Sequence, residues 1–447
     1  MGRFVLIDAN QGRRMDGVAT GDIRKLLILE TLPKPVNDSG KMPPISFGGS
    51  YMLERILGTV DVEPDGSCYF EAPALRPLFF VALDVENNSV QRMHSFTTLM
   101  PGETNGCIGC HEPRTQAGVE LASNIRVLAL QRPAQRIQPL ENIPEVFDFP
   151  RDMQPILDRH CVACHDYDRR DGGVILTGDH GPVYSHSYFT LTALGYVSDG
   201  RDRVRTNLPP RAVGTSASRL MKMLDGSHYQ ARLTPHEQDM VRYWIESAAV
   251  YPGTYAALGT GMIGGYPKSK LDTSDREWPS AQKATEAISR RCTGCHDDSR
   301  PLPRFLSDDM GFVLSNPDFD DPRVQFSRHL LFNLSRPQLS LILLAPLARE
   351  AGGLELCGTS VLGDKSDVDY QAILAMCREG QRHLQTIKRF DMPGFRPSDM
   401  YIREMQRNGT LPSRLQPGRE IDPYQIDATY WRSQWWQPVP RVSLSEN

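Results

Sequence analysis

The spacing of hydrophobic positions along this 447-residue chain changes character once, near residue 146. Before that point the apolar residues fall in short β-branched runs, at 3–8, 25–32 and 79–85, bounded by Gly, Pro, Asn and Asp. This pattern predicts strands. Glu63-Pro-Asp-Gly-Ser reads as a turn leading into a strand-like Cys68-Tyr-Phe, and Pro101-Gly-Glu-Thr-Asn-Gly excludes a helix before residue 107. Beyond Phe147 the period becomes helical. Met153, Ile156, Leu157 and His160 share one face, and 217–224 reads as a second helical stretch. Thr234-Pro-His-Glu237 combines an N-cap, a first-turn proline and a capping-box acid, opening a helix with Met240, Val241, Trp244, Ile245 and Ala248 on one side. The Gly-rich stretch 251–267 reads as a linker. Ala284, Ala287 and Ile288 then repeat the earlier pattern. A late helix near 367–390 carries Tyr370, Ile373, Met376, Cys377, Leu384 and Ile387, and Pro393 ends it. The chain is therefore read as α+β, with a β-rich N-terminal domain over 1–145 and two mainly α-helical domains over 146–265 and 266–447.

Composition adds little: 40% hydrophobic residues, 23% charged and a net charge of −4 point to neither nucleic-acid nor membrane binding. The longest apolar run is broken at Pro346, so no transmembrane segment is expected. The cysteines change the picture. Six of the nine lie in three copies of Cys-X-X-Cys-His: Cys107, Cys110 and His111; Cys161, Cys164 and His165; Cys292, Cys295 and His296. This is the c-type haem attachment pattern. Two thiols three positions apart reach the vinyl edge of one porphyrin, and the following imidazole binds iron as proximal ligand. Zinc would instead need two such pairs per site. Three covalent haem c groups are expected, haem 1 on a loop of the β domain and haems 2 and 3 in cytochrome c-like helical domains.

The distal ligands divide electron transfer from small-molecule chemistry. For haem 2 the candidate is His228, in the loop before the last helix of its domain, with a surface histidine as the plain alternative; His160 is read as orienting the site or facing solvent. For haem 3 the candidates rank His329, His383, then Met392, each also readable as a hydrogen-bonded core or surface residue. Met93 and His94 lie upstream of the first motif without a spacing that demands ligation, so haem 1 is the candidate open iron. Arg114, Arg169, Arg170, Arg290 and Arg291 are possible propionate partners or plain surface charges.

Haem attachment to thiols occurs outside the cytoplasm in bacteria, so a periplasmic or similar compartment is expected. Met1-Gly-Arg-Phe-Val-Leu-Ile-Asp lacks the pattern of a signal peptide, and a longer N-terminal part is inferred. Of the remaining cysteines, Cys68, Cys357 and Cys377, the last two could pair in an oxidising compartment, or stay as buried thiols. The tail holding Trp431, Trp435 and Trp436 is expected to pack back over the molecule.

The stretch from Asp65-Gly-Ser-Cys-Tyr-Phe-Glu-Ala-Pro-Ala to Pro101-Gly-Glu-Thr-Asn-Gly-Cys-Ile-Gly-Cys-His-Glu-Pro-Arg resembles the middle domain of the hydrazine synthase alpha family. Trp244-Ile-Glu-Ser-Ala-Ala-Val-Tyr-Pro-Gly-Thr-Tyr, Asn333-Leu-Ser-Arg-Pro and Arg389-Phe-Asp-Met-Pro-Gly-Phe-Arg-Pro resemble the same group. The resemblance implies an N-terminal β-propeller in longer relatives, partner subunits, and an activity joining nitric oxide and ammonia. In the hydrazine-forming members a Tyr four residues past one motif His binds iron and frees that His for zinc; Thr115, Arg169 and Arg300 stand there in this chain. Three motifs also replace that subunit's two. The reading is thus an electron-transferring three-haem cytochrome working with redox partner proteins, with an open-haem oxidoreductase for a small nitrogen compound (nitric oxide, hydroxylamine or hydrazine) as the alternative.

Overall fold

The structure is a computed structural model that describes residues 1–36, 45–47, 52–110, 127–198, 208–229, 231–259, 261, 263, 273–311, 320–358, 361–416 and 420–435. His111, Arg114, Thr115 and Trp436 lie outside these. The first unit holds β1 (Gly2–Leu6), β2 (Lys25–Thr31), β3 (Glu54–Asp61), β4 (Cys68–Ala72), β5 (Leu78–Leu83), β6 (Ser89–Arg92), β7 (Thr104–Cys107) and β8 (Gln135–Arg136). Two four-stranded sheets result, ordered β7-β1-β4-β8 and β3-β2-β5-β6. The runs at 3–8, 25–32 and 79–85 become β1, β2 and β5.

The second sheet is buried on both faces, which explains why β2 reads Leu-Leu-Ile-Leu without a polar alternate. Leu26, Ile28 and Ala82 pack with Phe4 and Phe70 of the first sheet. Leu27, Leu29, Val81 and Leu83 point the other way, into a core shared with Phe149, Tyr188 and Trp244. The hydrophobic core is therefore continuous across residue 145.

The helical part contains α1 (Gln154–His160), α2 (His186–Ala193), α3 (Pro235–Glu246), α4 (Pro279–Cys292), α5 (Arg328–Leu331), α6 (Leu341–Leu344), α7 (Val368–Ile387), α8 (Asp399–Arg407) and α9 (Pro423–Ser433). The capping box of α3 forms as expected, with Thr234 and Glu237 each bonding the other's backbone N–H. Helix α2 had no amphipathic signature because all eight of its residues are buried, polar ones included; a stripe appears only when one face meets water. The stretch 217–224 is a short 3₁₀ turn, Arg219–Met223, rather than an α-helix. The expected linker is core over its described part: Tyr251, Ala256 and Ala257 are fully enclosed. No described helix is long and apolar enough to cross a membrane.

Helices α4 and α7 run antiparallel and build the third unit's core around Ala284, Ile288, Ile373 and Met376. Arg290 and Arg291 at the end of α4 both reach Asp369 at the start of α7. Cys377 is buried in this core while Cys357 is exposed, and the two are separate thiols rather than a disulfide. Burial pushes the Cys377 thiol up to about 12.

Two polar clusters tie the units together. Glu30 of β2 accepts from Arg55 and Arg76, and Trp435 lies 4.7 and 4.6 Å from the two guanidinium carbons. The aromatic tail thus returns to the first unit. The second cluster centres on Arg389, fully buried, which donates to the carbonyls of Gly181 and Val183 at 3.2 and 3.0 Å and to the Tyr251 hydroxyl at 2.6 Å. Its Nε bonds Asp391 at 2.7 Å, and His180 reaches the same carboxylate at 3.3 Å. Burial opposes ionisation of Asp391, but Arg389 holds its carboxyl well below the usual carboxylate range. Removing one partner of such a pair leaves an uncompensated buried charge. Asp391→Asn is expected to cost about 3–5 kcal/mol, measured by urea unfolding of the holoprotein; an unchanged midpoint would show that Arg389 is solvated.

Candidate functional site

Helix α1 runs straight into the second motif. Beyond it, Cys161 and His165 continue the turn, with the His165 N–H bonding the Cys161 carbonyl at 3.0 Å. Asp166 then accepts the N–H groups of Asp168 and Arg169 at 3.0 and 2.8 Å. This Asx turn folds the chain back so that His165 Nδ1 donates to the Asp171 carbonyl at 3.1 Å. That bond fixes the tautomer and leaves Nε2 as the free donor atom, as in metal-ligating histidines generally.

Opposite His165 stands His228, on a loop whose ends are joined by the Asp225–Arg232 bridge. The two imidazole rings are 5.9 Å apart, centre to centre, and 12° from parallel. Two imidazoles bound to one metal ion through bonds of about 2 Å place their centres about 6 Å apart. The pair borders a cavity of about 850 Å³ that Cys161, Cys164, Leu176, Leu191 and Leu224 also line, within the range of cofactor sites. Thiols, imidazole pair and apolar walls fit a haem attached at Cys161 and Cys164.

The third motif repeats the local geometry. Asp297 accepts the Ser299 N–H at 2.9 Å, and His296 Nδ1 donates to the Arg300 carbonyl at 3.1 Å. The ring facing His296 is Phe326, at 5.1 Å. His329 packs instead against Tyr184 and Phe189 of the second unit, at 5.4 and 5.0 Å. Neither of its nitrogens has a hydrogen-bond partner, and burial holds its pKa well below the ordinary value. His383 faces Trp278 at 5.2 Å. Because α4 and α7 are antiparallel, that contact lies about 20 Å along α4 from Cys292, so the structure does not bring His383 to His296. The Met392 sulfur accepts the Arg389 N–H at 3.5 Å. Arg290 and Arg291, read as possible propionate partners, are clasped to Asp369 and Asp367.

At the first motif β7 ends on Cys107, held beside Leu6 by the parallel β1–β7 register. The Cys110 N–H bonds the Gln11 carbonyl at 2.7 Å. A Cβ on Gly109 would stand 2.4 Å from that same carbonyl oxygen, so the close approach requires glycine. Cys107 and Cys110 line a cavity of about 270 Å³ between the sheets, with Met93, Phe70 and Phe80. No imidazole is among its described lining residues, and His94 is exposed. Among the described residues, no three His, Cys, Asp or Glu side chains gather into a cage for a bare metal ion.

Residues 21–112, from the approach to β2 through the first motif, match the family described as the hydrazine synthase alpha subunit middle domain. Over that stretch the chain is similar to the hydrazine synthase alpha subunit. Among solved structures it matches a chain of Kuenenia stuttgartiensis hydrazine synthase at 20% identity and a TM-score of 0.43. The match covers 56% of this chain and 43% of that one, so less than half of the solved chain is spanned. No curated protein matches.

The sequence reading missed the backbone partners of His165 and His296. The signal was present: an Asp follows both motif histidines, and each makes the Asx turn. It also missed the support beneath the second motif. Glu237, the capping-box acid, bonds Arg159 Nη2 at 2.8 Å and His160 Nε2 at 3.1 Å, immediately before Cys161. His160 is thus occupied in orienting the site. Burial opposes ionisation of Glu237, but the Thr234 N–H, Arg159 and His160 bring its carboxyl down to about 2. A depressed carboxyl contributes stability above its unfolded pKa and loses it as pH falls through the folded one. Glu237→Gln is expected to cost about 1 kcal/mol at pH 7, in urea unfolding, and the gap to the parent should close as pH falls from 4.5 towards 2.

Proposed function

We propose that this chain is a multihaem c-type cytochrome related to the hydrazine synthase alpha subunit, carrying haem c at all three motifs and relaying electrons. Haem c supplies a one-electron iron couple when bound. The observation that carries the reading is the His165–His228 pair: near-parallel rings 5.9 Å apart, one with its Nδ1 already committed, bordering a cavity with two thiols. An iron held by two imidazoles has no site for substrate and serves as an electron carrier. The chain's own contribution is to hold both rings in place, through the Asp171 carbonyl on one side and the 225–232 loop on the other, and to keep water from the apolar walls. Thioether attachment argues for an extracytoplasmic compartment, and electron transfer implies redox partner proteins, with a hetero-oligomer as the expected setting.

The cavity at the first motif supports a second reading. A haem held there without a distal imidazole would leave a face for a small nitrogen compound such as nitric oxide or hydroxylamine, with the other haems as its wire. Electron paramagnetic resonance (EPR) of the oxidised holoprotein separates the readings: all low-spin iron supports the carrier, and a high-spin component at the first motif supports the oxidoreductase. For the second motif, His228→Ala is expected to convert its haem from low-spin to high-spin. A retained low-spin signal would sink the His165–His228 assignment.

A further inference from the structure

The cavity beside the first motif has two unlike walls. Phe4 of β1 and Phe70 of β4 line it from one sheet, on the same side as Cys107 and Cys110. Phe80 and Ala82 of β5 line it from the other sheet, together with the end of β6 and the residues just beyond. A group attached to the two thiols therefore faces the wall built by β5 and β6.

The backbone decides which side chains of that wall look across. Ala82 pairs with Gln91 in the antiparallel β5–β6 register, and the Met93 N–H continues the ladder to the Phe80 carbonyl at 3.0 Å. Residues opposite one another on antiparallel strands share a face, so Gln91 and Met93 join Ala82 and Phe80. Gln91, Met93, Ser95 and Thr97 all line the cavity, whereas His94 and Phe96 do not. This is the two-residue alternation of an extended chain, and it turns the more familiar iron ligand, His94, to the exposed side. Arg92 also borders the cavity, but Glu54 and Glu246 hold its guanidinium at 3.1 and 3.2 Å.

The chemistry of this wall narrows the choice further. Beyond the two thiols, its uncharged polar side chains are one amide and two hydroxyls, and Met93 brings a thioether. Oxygen donors of that kind suit hard cations, whereas thioether sulfur is an axial ligand of c-type haem iron. The described lining contains no carboxylate. Met93 also stands where the wall can adjust: β6 ends at Arg92, and the chain pairs again at the Leu78–Thr97 bridge. An unbranched side chain with three rotatable bonds can direct its sulfur from such a position.

We infer that the Met93 sulfur is the distal ligand of the haem attached at Cys107 and Cys110. The motif supplies an imidazole for the other face, so this iron is held by His and Met, unlike the two-imidazole iron at the second motif. A thioether in place of an imidazole raises the reduction potential, which makes the first haem the more positive of the two. The inference rests on haem attachment at the first motif. Within that reading it fills the face that a substrate would need, and so favours the relay.

The test compares the oxidised holoprotein with Met93→Leu, an exchange that keeps the volume and removes the sulfur. The parent should show the charge-transfer band of methionine-bound ferric haem. In Met93→Leu that contribution should vanish, a high-spin EPR signal equal to one haem should appear, and the first haem's midpoint potential should fall. His94→Ala should leave all three unchanged. Mass spectrometry of the Cys107–Cys110 peptide reports haem attachment independently. If the peptide carries haem but Met93→Leu keeps the parent spectrum and potential, the ligand assignment is wrong while the attachment stands. Loss of the low-spin signal in His94→Ala instead would overturn it in favour of His94. A parent peptide without haem would sink the attachment reading itself.

Discussion

A guanidinium with no access to water holds the two helical units in one arrangement. Arg389 meets two carbonyls of the loop before α2, a tyrosine hydroxyl after α3 and the carboxylate of Asp391. Each of these groups would be costly to bury alone, and together they satisfy one another. A polar cluster of this kind adds little net stability compared with apolar packing. Its effect is on geometry: α2, the 172–176 segment and the third unit have one relative position in which every donor and acceptor is used.

The candidate ligand sites are built by local chemistry within that frame. In both helical units a motif histidine is followed by an aspartate whose side chain bonds the next N–H groups and brings a carbonyl to Nδ1. The proximal imidazole is thereby oriented within a few residues of the motif. The opposite side differs. His228 arrives on a loop set by α3 and the Asp225–Arg232 bridge, and Phe326 occupies the corresponding position near His296. The first unit uses sheet register rather than a helix, with Cys107 fixed beside Leu6 and a glycine allowing Gln11 to close on Cys110.

Much of this was legible in the sequence. The strands β1, β2 and β5, the helices α1, α3, α4 and α7, and the capping box at Thr234 follow from short-range pattern, because the helices carry an apolar stripe and the strands are short apolar runs bounded by turn residues. Helix α2 and the stretch 251–259 were not legible for the opposite reason. Both are buried on every side, so their residues show no period, and the glycines near 259 resemble a linker. His329 and His383 were plausible ligands from their neighbours alone. In the fold His383 packs against Trp278, and His329 against Tyr184 and Phe189.

The sequence by itself determined where two thiols and an imidazole fall within five residues, since that spacing needs no tertiary context. It also determined the α+β division, through the change from a period of two to one of 3.6. Only the tertiary structure decided which rings face His165 and His296. Those relations join residues far apart in the chain, and they depend on buried contacts such as Arg389 with Gly181. No local pattern encodes them.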